Sequence, residues 1–586
     1  MKAVVVMFDT LTKNFISTYG GDAITPNFSR LAEKTVQFNR FYIGSAPCMP
    51  ARREMHTGRY NFLHRSWGPI EPFDFSMPEF LSKNCVHTHL VTDHKHYWRD
   101  GGATYHTRYS TCEFVRGQEG DRWKGHVEKP KVEYTGNEEQ AVIDRRVRRI
   151  EQDFINRNYM QEEHQHTLAR TMSAGLEFIH KNAKQDNWFL QLECFDPHEP
   201  FFVPDKYLKM YGCTQSDFDG WMYYNANTDS PEKQRLIRIF YKALITMCDD
   251  YLGKVLDTFD EHSLWEDTLL IVNTDHGFLL GEHEWWGKNI MPVYNEIANI
   301  PFYIYDPVSR RQGEQCEALA QTIDIPATLM DFFGHDVPKV MEGRPITKYL
   351  RADEKIRDYA LFGYFGAHIN VTDGESVYMR APREKENSQF EYTLMPTAID
   401  SRFSVKQLRK AELVRGFDFC QGCNLLKVPS EINYTNAYRF WDKLYNVDAD
   451  PTQMTPLFNW NKELELAEKI VGLMKSNDAP TELLSRYSLE DVSKEQLQYE
   501  RMSYEEYSAS RFSRFQLQHS CVAEGLELLC VLEGNDSDIY DSICCELKYL
   551  DKQVAAKDVF DIARGLFSGE LLKKAIYQLN MVMRYE

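Results

Sequence analysis

The stretch CMPAR at residues 48–52, followed by TGRY at residues 57–60, decides how the rest of this chain is interpreted. Cys48 and Arg52 are one helical turn apart, so a helix starting here would place both side chains on one face. By itself, a cysteine before a helix start is usually a small buried apolar residue. A chemical role for Cys48 therefore depends on what the rest of the sequence places around it.

Buried strands and helices alternate on both sides of this stretch. Four apolar runs have strand length: residues 3–8, 188–192, 269–272 and 301–305. Their apolar residues do not alternate with polar ones, which is typical of strands covered on both faces in a parallel sheet. Helical patterns lie between them, at about residues 138–181 and 233–259. We therefore predict an α/β fold with crossover helices.

Three of these strands end on acidic residues or histidine. Asp9 follows the first run, Asp196 and His198 follow the second, and Asp275 and His276 follow the third. One such aspartate could simply cap the next helix. Ligands of open α/β sheets bind at the carboxyl ends of the strands, so three such endings favour a metal or acid–base site. The carboxylate oxygens suit Ca²⁺ or Mg²⁺ better than zinc.

Composition excludes several classes of protein. The chain has 586 residues, too many for one ordinary domain. Its 68 Lys and Arg against 87 Asp and Glu give a net charge of −19, which argues against a nucleic-acid partner. We expect no membrane span, because no apolar run approaches the required length. The thirteen cysteines are irregularly spaced, and the first apolar run is too short for a signal peptide. We therefore expect a cytoplasmic protein.

The texture of the sequence predicts three units. Residues 1–365 form the catalytic α/β domain, and residues 366–485 form a smaller C-terminal unit with an antiparallel sheet. The smaller unit contains a predicted hairpin at 368–379, around an Asp-Gly turn. Residues 486–586 form a helical appended region, whose apolar stripes favour either self-association as a homo-oligomer or packing on the catalytic domain. The stripes consist of Leu526, Leu529, Cys530, Leu547, Leu550 and Val554.

The opening stretch resembles the signature of type I sulfatases, Cys-x-Pro-(Ser/Ala)-Arg followed by Thr-Gly-Arg. In that family the cysteine is oxidised to formylglycine. Other family elements follow in order over about residues 1–480, at residues 196–201, 274–288, 324–329, 343–344, 444–446 and 450–451. The resemblance implies an alkaline-phosphatase-like α/β fold with a mostly parallel central sheet and a small C-terminal sheet subdomain. It also implies a sulfatase, which we expect to act on a small anionic sulfate ester of a carbohydrate.

The resemblance assigns a cofactor site. Asp9, Asp275 and His276 would bind a divalent metal, with the modified Cys48 as a further ligand. Ca²⁺ is the first choice, and Mg²⁺ or Mn²⁺ are alternatives. Formylglycine at Cys48 would require a formylglycine-generating maturation enzyme as a partner. Its hydrated aldehyde would supply the nucleophilic hydroxyl, which needs activation by a metal or a base at neutral pH.

The resemblance also assigns catalytic roles. Arg52 would hold the nucleophile and neutralise charge. Lys288 and His198 would contact the sulfate oxygens, and His198 would be the general acid for the leaving alcohol. His96 is the candidate base for release of sulfate.

Two departures from the family pattern raise alternatives. His94 stands where the family has a lysine two residues before the histidine, so His94 would contact the substrate while Lys95 points away on a strand. The same segment could instead be a solvated loop. Thr10 stands where many sulfatases have a second aspartate, which makes it a doubtful metal ligand. Both departures also occur in phosphonate monoester and phosphodiester hydrolases, the alternative chemistry; a non-catalytic family member with an interaction tail is a third interpretation.

Two further features have alternative interpretations. The basic run at residues 145–149 is typical of a solvated helix face, and the alternative is a rim on the path of an anionic substrate. Trp285 and Trp286 lie between two family motif residues, either as core or as a platform for a sugar or aryl group.

Overall fold

The computed structural model describes residues 1–132, 140–227, 229–383, 389–430 and 437–501, together with 516–517, 554–555 and residue 562. The strands are β1 Lys2–Phe8, β2 Val36–Phe38, β3 Phe41–Tyr42, β4 Ser45–Ala46, β5 His87–Thr92, β6 Thr111–Phe114, β7 Trp188–Cys194, β8 Asn225–Ala226, β9 Thr268–Asn273, β10 Leu279–Leu280, β11 Trp285–Gly287, β12 Phe302–Tyr305, β13 Glu314–Cys316, β14 Ala320–Gln321, β15 Ala360–Tyr364, β16 Ile369–Thr372, β17 Ser376–Arg380, β18 Phe390–Thr393, β19 Glu412–Arg415, β20 Asn424–Pro429, β21 Lys443–Asn446, β22 Gln516–Leu517 and β23 Val554–Ala555. The helices are α1 Pro26–Lys34, α2 Cys48–Thr57, α3 Met77–Lys83, α4 Ala103–His106, α5 Gln140–Arg157, α6 Thr167–Asn182, α7 Asp205–Lys209, α8 Pro231–Glu261, α9 Asn295–Ala298, α10 Asp324–Phe332, α11 Ile346–Ala352, α12 Val405–Leu408, α13 Ala437–Phe440, α14 Trp460–Ser476 and α15 Thr481–Arg486.

An eight-stranded sheet forms the centre of the fold, in the order β13-β2-β12-β9-β1-β7-β5-β6. The strands β9, β1, β7, β5 and β6 are all parallel to their neighbours in this series. The prediction of an α/β fold with a mostly parallel sheet is therefore confirmed. One detail is wrong: the run at 301–305 forms β12, which is antiparallel to β9. The one α-helix among residues 274–301, between these strands, is the four-residue α9, which is too short for the helical crossover typical of a parallel pair.

Helices cover both faces of this sheet, as its uniformly apolar strands require. Val4 and Val6 of β1 pack on one face in a core that includes residues of α6 and α8. Ala3 and Val5 point to the opposite face, where α3 and α10 supply apolar side chains. The helix predicted at 233–259 is confirmed as α8, whereas the pattern at 138–181 divides into α5 and α6.

A second, five-stranded sheet has the order β21-β17-β16-β15-β4. The predicted hairpin is confirmed: β16 and β17 pair antiparallel, and Gly374 takes the left-handed conformation that the turn needs, with φ +97°. Strands β4 and β15 belong to the predicted first unit, and they join this sheet as a parallel pair. Since β4 directly precedes α2, the small sheet is anchored beside the segment that carries Cys48.

Little of the C-terminal region lies within the described residues. Residues 494–501 are helical, and β22 pairs antiparallel with β23. Of the six stripe residues only Val554 is described, in β23; Leu526, Leu529, Cys530, Leu547 and Leu550 lie outside the described residues. Among the described helices, none is both long and apolar enough to cross a lipid bilayer.

Candidate active site

Three adjacent parallel strands bring the candidate residues together. Strands β9, β1 and β7 end side by side, and the chain continues from them into Asp275, Asp9 and Asp196. Helix α2 begins at Cys48. The site therefore lies at the carboxyl ends of the strands, where open α/β sheets bind ligands.

Four potential metal ligands converge at this edge. One ligand atom from each of Asp9, Cys48, Asp275 and His276 lies within 4.8 Å of the others, and all four residues are buried. The Cys48 Sγ is 3.3 Å from the His276 Nε2 and 3.9 Å from an Asp9 carboxylate oxygen. The His276 Nδ1 is 2.9 Å from the carbonyl oxygen of Gly277, so the proton belongs on Nδ1 and the Nε2 lone pair faces the group.

The charges of this group fit a divalent cation. Burial and the Asp275 carboxylate raise the pKa of Asp9, because two negative charges at one buried site repel each other. A cation between the two carboxylates would remove that cost. Thr10 lies within the same site: its hydroxyl donates to the Asp9 Oδ1 at 2.7 Å and accepts from the Lys288 Nζ at 3.1 Å. The Thr10 hydroxyl thus already has two partners, and a role for it as a metal ligand stays a doubtful prediction.

Arg52 is the buried cation beside these carboxylates. Its guanidinium donates to Asp275 at 2.8 Å, to Asp9 at 2.9 Å and to Glu193 at 3.1 Å. It also donates to the carbonyl oxygen of Cys48 at 3.1 Å, within the first turn of α2. Burial disfavours the charged form of Arg52, but the three carboxylates outweigh it and raise its pKa. Arg52 thus fixes the start of α2 relative to the ends of β1 and β9.

Sequence reasoning missed Glu193. It is a buried residue of β7 that receives Arg52 and the hydroxyl of Tyr97, the latter at 3.0 Å. The signal was present in the sequence: a carboxylate one residue before the end of a buried strand needs a buried partner.

Lys288 and His198 lie beside the same group of residues. The Lys288 Nζ is 3.7 Å from the Cys48 Sγ, and burial of its charge is outweighed by Cys48, Glu199 and the nearby aspartates, which raise its pKa. The His198 Nδ1 lies 2.6 Å from the carbonyl oxygen of Glu199 and 3.2 Å from its carboxylate. Nδ1 therefore carries the proton, and Nε2 is left for a ligand. Burial and the Lys288 charge lower the pKa of His198.

His94 and His96 form a connected pair beside Asp9. The His96 Nδ1 is 3.1 Å from the His94 Nε2, and the His94 Nδ1 is 3.5 Å from an Asp9 carboxylate oxygen. Both rings are buried, so this segment is not the solvated loop of the alternative interpretation. Burial is the main cause that lowers the pKa of each ring. His94 is therefore expected in its neutral form. Its ring contacts Asp9 of the metal group and His96 rather than solvent.

The segment is also not the strand assumed for Lys95. Residues Lys95–Trp98 form a 3₁₀ turn, because β5 already ends at Thr92. Lys95 does point away from the pocket, and its Nζ donates to the carbonyl oxygen of Glu119 at 3.0 Å.

The family model described as Sulfatase matches residues 2–335 of the chain. The chain belongs to the sulfatase family. An arylsulfatase of Clostridium perfringens (strain 13 / Type A) is 21% identical over 426 residues, covering 65% of this chain and 86% of that protein. An N-acetylglucosamine-6-O-sulfatase of Bacteroides thetaiotaomicron is 21% identical over 399 residues, covering 60% of this chain and 71% of that protein. We assign this sulfatase as a hydrolase of sulfuric ester bonds.

Solved structures share the fold of this sulfatase. The structure of BT4656 in complex with its substrate D-glucosamine-2-N,6-O-disulfate has a TM-score of 0.55 at 15% identity and covers 83% of this chain and 98% of that one. A phosphonate monoester hydrolase of Agrobacterium radiobacter has a TM-score of 0.55 at 19% identity and covers 81% and 96%. At these identities the likeness concerns the fold alone.

In this sulfatase the residues that the sequence singled out for the site lie in or around the group of Asp9, Cys48, Asp275 and His276. The two tryptophans differ in burial. Trp286 is fully buried in the core, whereas Trp285 is half-buried against Phe440, at a distance of 5.9 Å between ring centroids. The roles of the gathered residues remain predictions.

Proposed function

We propose that this sulfatase hydrolyses the sulfate ester of a small sulfated carbohydrate, using a formylglycine made from Cys48 and a divalent cation. The observation that carries the proposal is the placement of Cys48 at the start of α2, within the group of Asp9, Asp275 and His276 and against the Lys288 ammonium. Relatives named as an arylsulfatase and a sugar sulfatase support the substrate class.

The residues at this site fit the proposed cofactor. Asp9, Asp275 and His276 would hold the cation together with the modified Cys48, and Ca²⁺, Mg²⁺ or Mn²⁺ all accept such oxygen-rich donors. A bound cation would supply positive charge for activating a hydroxyl and for stabilising anionic oxygens. Arg52 offsets the carboxylates and keeps them oriented through its bonds to Asp9 and Asp275.

The chain's own side chains would handle the anion and the protons. Lys288 stands 3.7 Å from the Cys48 Sγ, where its fixed charge can attract sulfate oxygens. His198 presents Nε2 once Nδ1 is tied to Glu199, and the negative charge of a bound sulfate would raise its low pKa toward the range of a general acid. His96, relayed through His94 to Asp9, is the candidate base for release of sulfate.

A phosphonate monoester or phosphodiester hydrolase is the second candidate. Thr10 stands where many sulfatases have a negatively charged aspartate, and His94 stands where they have a positively charged lysine. The site therefore has one fewer fixed negative charge and one fewer fixed positive charge. The phosphonate monoester hydrolase of Agrobacterium radiobacter shares this fold and motivates the alternative. Matched kinetics on an aryl sulfate and an aryl phosphonate monoester separate the two, since negligible sulfate turnover beside fast phosphonate turnover would refute the sulfatase specificity.

Mass spectrometry of the protein from its native host tests the nucleophile directly. Trypsin releases Cys48 in the peptide spanning residues 41–52, because Arg40 and Arg52 flank it. We expect the mass loss of a thiol converted to an aldehyde. An unmodified cysteine in the native protein would refute the mechanism, whereas in a foreign host it would only show that the maturation enzyme is missing. Conversion of Cys48 to the aldehyde would also argue against the interpretation of this chain as a non-catalytic family member.

A formylglycine-generating maturation enzyme follows from this proposal as a partner. We also propose a cytoplasmic location, which suits a substrate imported as a short saccharide. A further part of the proposal is self-association through residues 486–586. Fractionation of native cells and light scattering of the full chain test these two points.

A further inference from the structure

Glu199 places a buried carboxylate behind the ring of His198. Glu199 is 5% exposed, and its Oε2 lies 3.2 Å from the His198 Nδ1. That nitrogen donates to the carbonyl oxygen of Glu199, at 2.6 Å. Oε2 itself accepts no hydrogen bond among the residues that the structure describes. A buried oxygen without a hydrogen bond costs about 1–3 kcal/mol, so its place beside an imidazole needs a functional explanation.

Tyr224 holds this carboxylate in place. Its hydroxyl donates to the Glu199 Oε1 at 2.5 Å, which leaves Oε2 for the side of His198. The Tyr224 ring packs edge-on against Phe278, at 5.6 Å between ring centroids. It also lies against the backbone of Gly287, where an added Cβ would stand 2.7 Å from the Tyr224 Cγ. The hydroxyl is therefore presented by a ring that is fixed on two sides.

Direct ring contacts place His198 beside the metal group. Its ring packs on Phe195 at 4.1 Å between centroids, and Phe195 packs on His94 at 5.3 Å. The His94 Nδ1 is 3.5 Å from an Asp9 carboxylate oxygen. Phe195 is the first residue after β7, which pairs with β1 in the central sheet. The His198 imidazole is thus at the same edge of the sheet as the metal group.

Tyr224 is linked to the side of the site that carries Lys288. Strand β8 begins at the residue after Tyr224 and pairs antiparallel with β11, which ends at Gly287. The next residue is Lys288, and its Nζ is 3.7 Å from the Cys48 Sγ. One pair of short strands therefore positions both the Tyr224 hydroxyl and the Lys288 ammonium.

The carboxylate supplies a charge that favours the protonated form of His198. A general acid must carry a proton on Nε2 before the reaction, so the ring must be an imidazolium. Burial and the Lys288 charge oppose this form and lower the pKa of His198, with smaller contributions from His276 and Arg149. The charge of His198 in turn acts on His94. A buried carboxylate oxygen 3.2 Å from Nδ1 offsets these effects with little screening.

We infer that Glu199, held by Tyr224, is a positioning residue for His198 in the transfer of a proton to the leaving oxygen. The inference rests on the proposed function, because it deepens the role given there to His198. When the bond between sulfur and the ester oxygen breaks, that oxygen keeps the electron pair and takes the Nε2 proton. The alcohol leaves uncharged, and His198 returns to the neutral ring with its proton on Nδ1. Glu199 stays a carboxylate throughout and keeps Nε2 facing the ester.

The dependence on the leaving group tests the inference. A nitrophenyl ester leaves readily, whereas an unsubstituted phenyl ester depends more on the donated proton. Glu199→Gln keeps an acceptor for Tyr224 but removes the charge. We expect it to lower kcat/KM by roughly 10- to 100-fold for the phenyl ester and by under about 3-fold for the nitrophenyl ester, since it removes part of the general acid catalysis. Tyr224→Phe should show the same selectivity with a smaller loss, and it carries the comparison if Glu199→Gln does not fold.

A double-mutant cycle shows whether Glu199 acts through His198. In the His198→Gln background, Glu199→Gln should change kcat/KM for the phenyl ester by under about 2-fold, because the proton donor is already gone. A full further loss in that background, or an equal loss on both esters, would overturn the inference. Glu163→Gln is the matched control, since Glu163 also accepts hydrogen bonds from tyrosines but pairs with Lys206. It should leave both esters unchanged.

A spectroscopic measurement keeps the inference separate from the proposed function. In metal-loaded protein with isotope-labelled histidine, the ring nitrogens of His198 are the signals that His198→Gln removes. With excess inorganic sulfate near neutral pH, we expect both nitrogens to be protonated in the wild type and Nε2 to lose its proton in Glu199→Gln. Identical ring signals in the two proteins would overturn the inference even if sulfate esters are hydrolysed. The expected difference would uphold it even if phosphonate monoesters are the substrates, and phenyl phosphonate esters then serve for the kinetic comparison.

Discussion

Replacement of Arg52 by methionine tests how charge is balanced at the centre of the site. Arg52 bonds three buried carboxylates, those of Asp9, Asp275 and Glu193, at 2.8 to 3.1 Å. Removing one partner of a buried ion pair costs about 3–5 kcal/mol, because the remaining charge is left unpaired. We expect a loss of at least that size in the metal-free protein.

A bound cation should reduce this loss. With the cation in place Asp9 and Asp275 regain a positive partner, so the remaining loss is mainly the bond to Glu193, about 1–3 kcal/mol for a charged hydrogen bond. The difference of about 2 kcal/mol must reappear as tighter metal binding, since coupling between two equilibria is reciprocal. We therefore expect Arg52→Met to bind the cation roughly 30-fold more tightly than the wild type.

Isothermal calorimetry of the metal-stripped proteins with Ca²⁺, Mg²⁺ and Mn²⁺ measures this change. Arg53→Met is the matched control, because Arg53 is the next buried arginine and pairs with Asp74 at 2.8 Å rather than with the metal group. It should lose stability while its metal affinity stays the same. Weaker metal binding by Arg52→Met would refute the reasoning and would mean that Arg52 mainly shapes the ligands.

Three further predictions use other parts of the molecule. Cys48→Ala should abolish sulfate ester turnover, because it removes the precursor of the nucleophile, and a fluorogenic aryl sulfate assay measures this. Asp249→Ala should destabilise the protein by about 2–4 kcal/mol in chemical denaturation, since the Asp249 carboxylate accepts the backbone N–H groups of Asn27 and Phe28 at the start of α1, at 3.1 and 2.7 Å. Burial lowers the pKa of His56 to about 3, so only the unfolded chain takes up this proton as the pH falls below about 6.5. His56→Phe should therefore lessen the acid-induced fall in stability by about 1.4 kcal/mol per pH unit between pH 6 and pH 4.

Each of these predictions has its own contradicting result. Wild-type turnover by Cys48→Ala would exclude Cys48 as the nucleophile's source. Asp257→Ala, on the exposed face of α8, removes a surface ion pair with Arg30 and should change stability by under about 1 kcal/mol, and an equal loss in both aspartate variants would exclude the capping explanation. An unchanged pH slope in His56→Phe, or the same change in the exposed His87→Phe, would exclude a buried neutral His56.

The residues at the strand ends could be predicted because parallel strands place their carboxyl ends at one edge. Asp9, Asp275 and His276 follow two adjacent strands, and this topology alone brings them within 4.8 Å. Glu193 was missed because its partner Arg52 is distant in the sequence, so the strand pattern does not show which group pairs with this carboxylate. The antiparallel direction of β12 also could not be predicted, because an apolar run shows that a strand is buried but not in which direction it runs.

The conformation of the segment around His94 and His96 also could not be predicted from the sequence pattern. Alternation on a strand would have turned Lys95 away from the pocket, and the 3₁₀ turn does so by different geometry. The destination of the Lys95 side chain depends on Glu119, which follows the next strand, β6, and was not assigned any role from the sequence. Pattern reasoning therefore placed the residues correctly while the contacts that fix their charges came from tertiary structure.

The net charge of −19 does not decide what this sulfatase binds, because charge acts differently at the surface and in the pocket. Surface charges separated from a ligand by more than about 8–10 Å are largely screened at physiological ionic strength. Arg52 and Lys288 are buried, so they act on a ligand almost unscreened. Three carboxylates already offset Arg52, so we expect Lys288 and a bound cation to attract the sulfate.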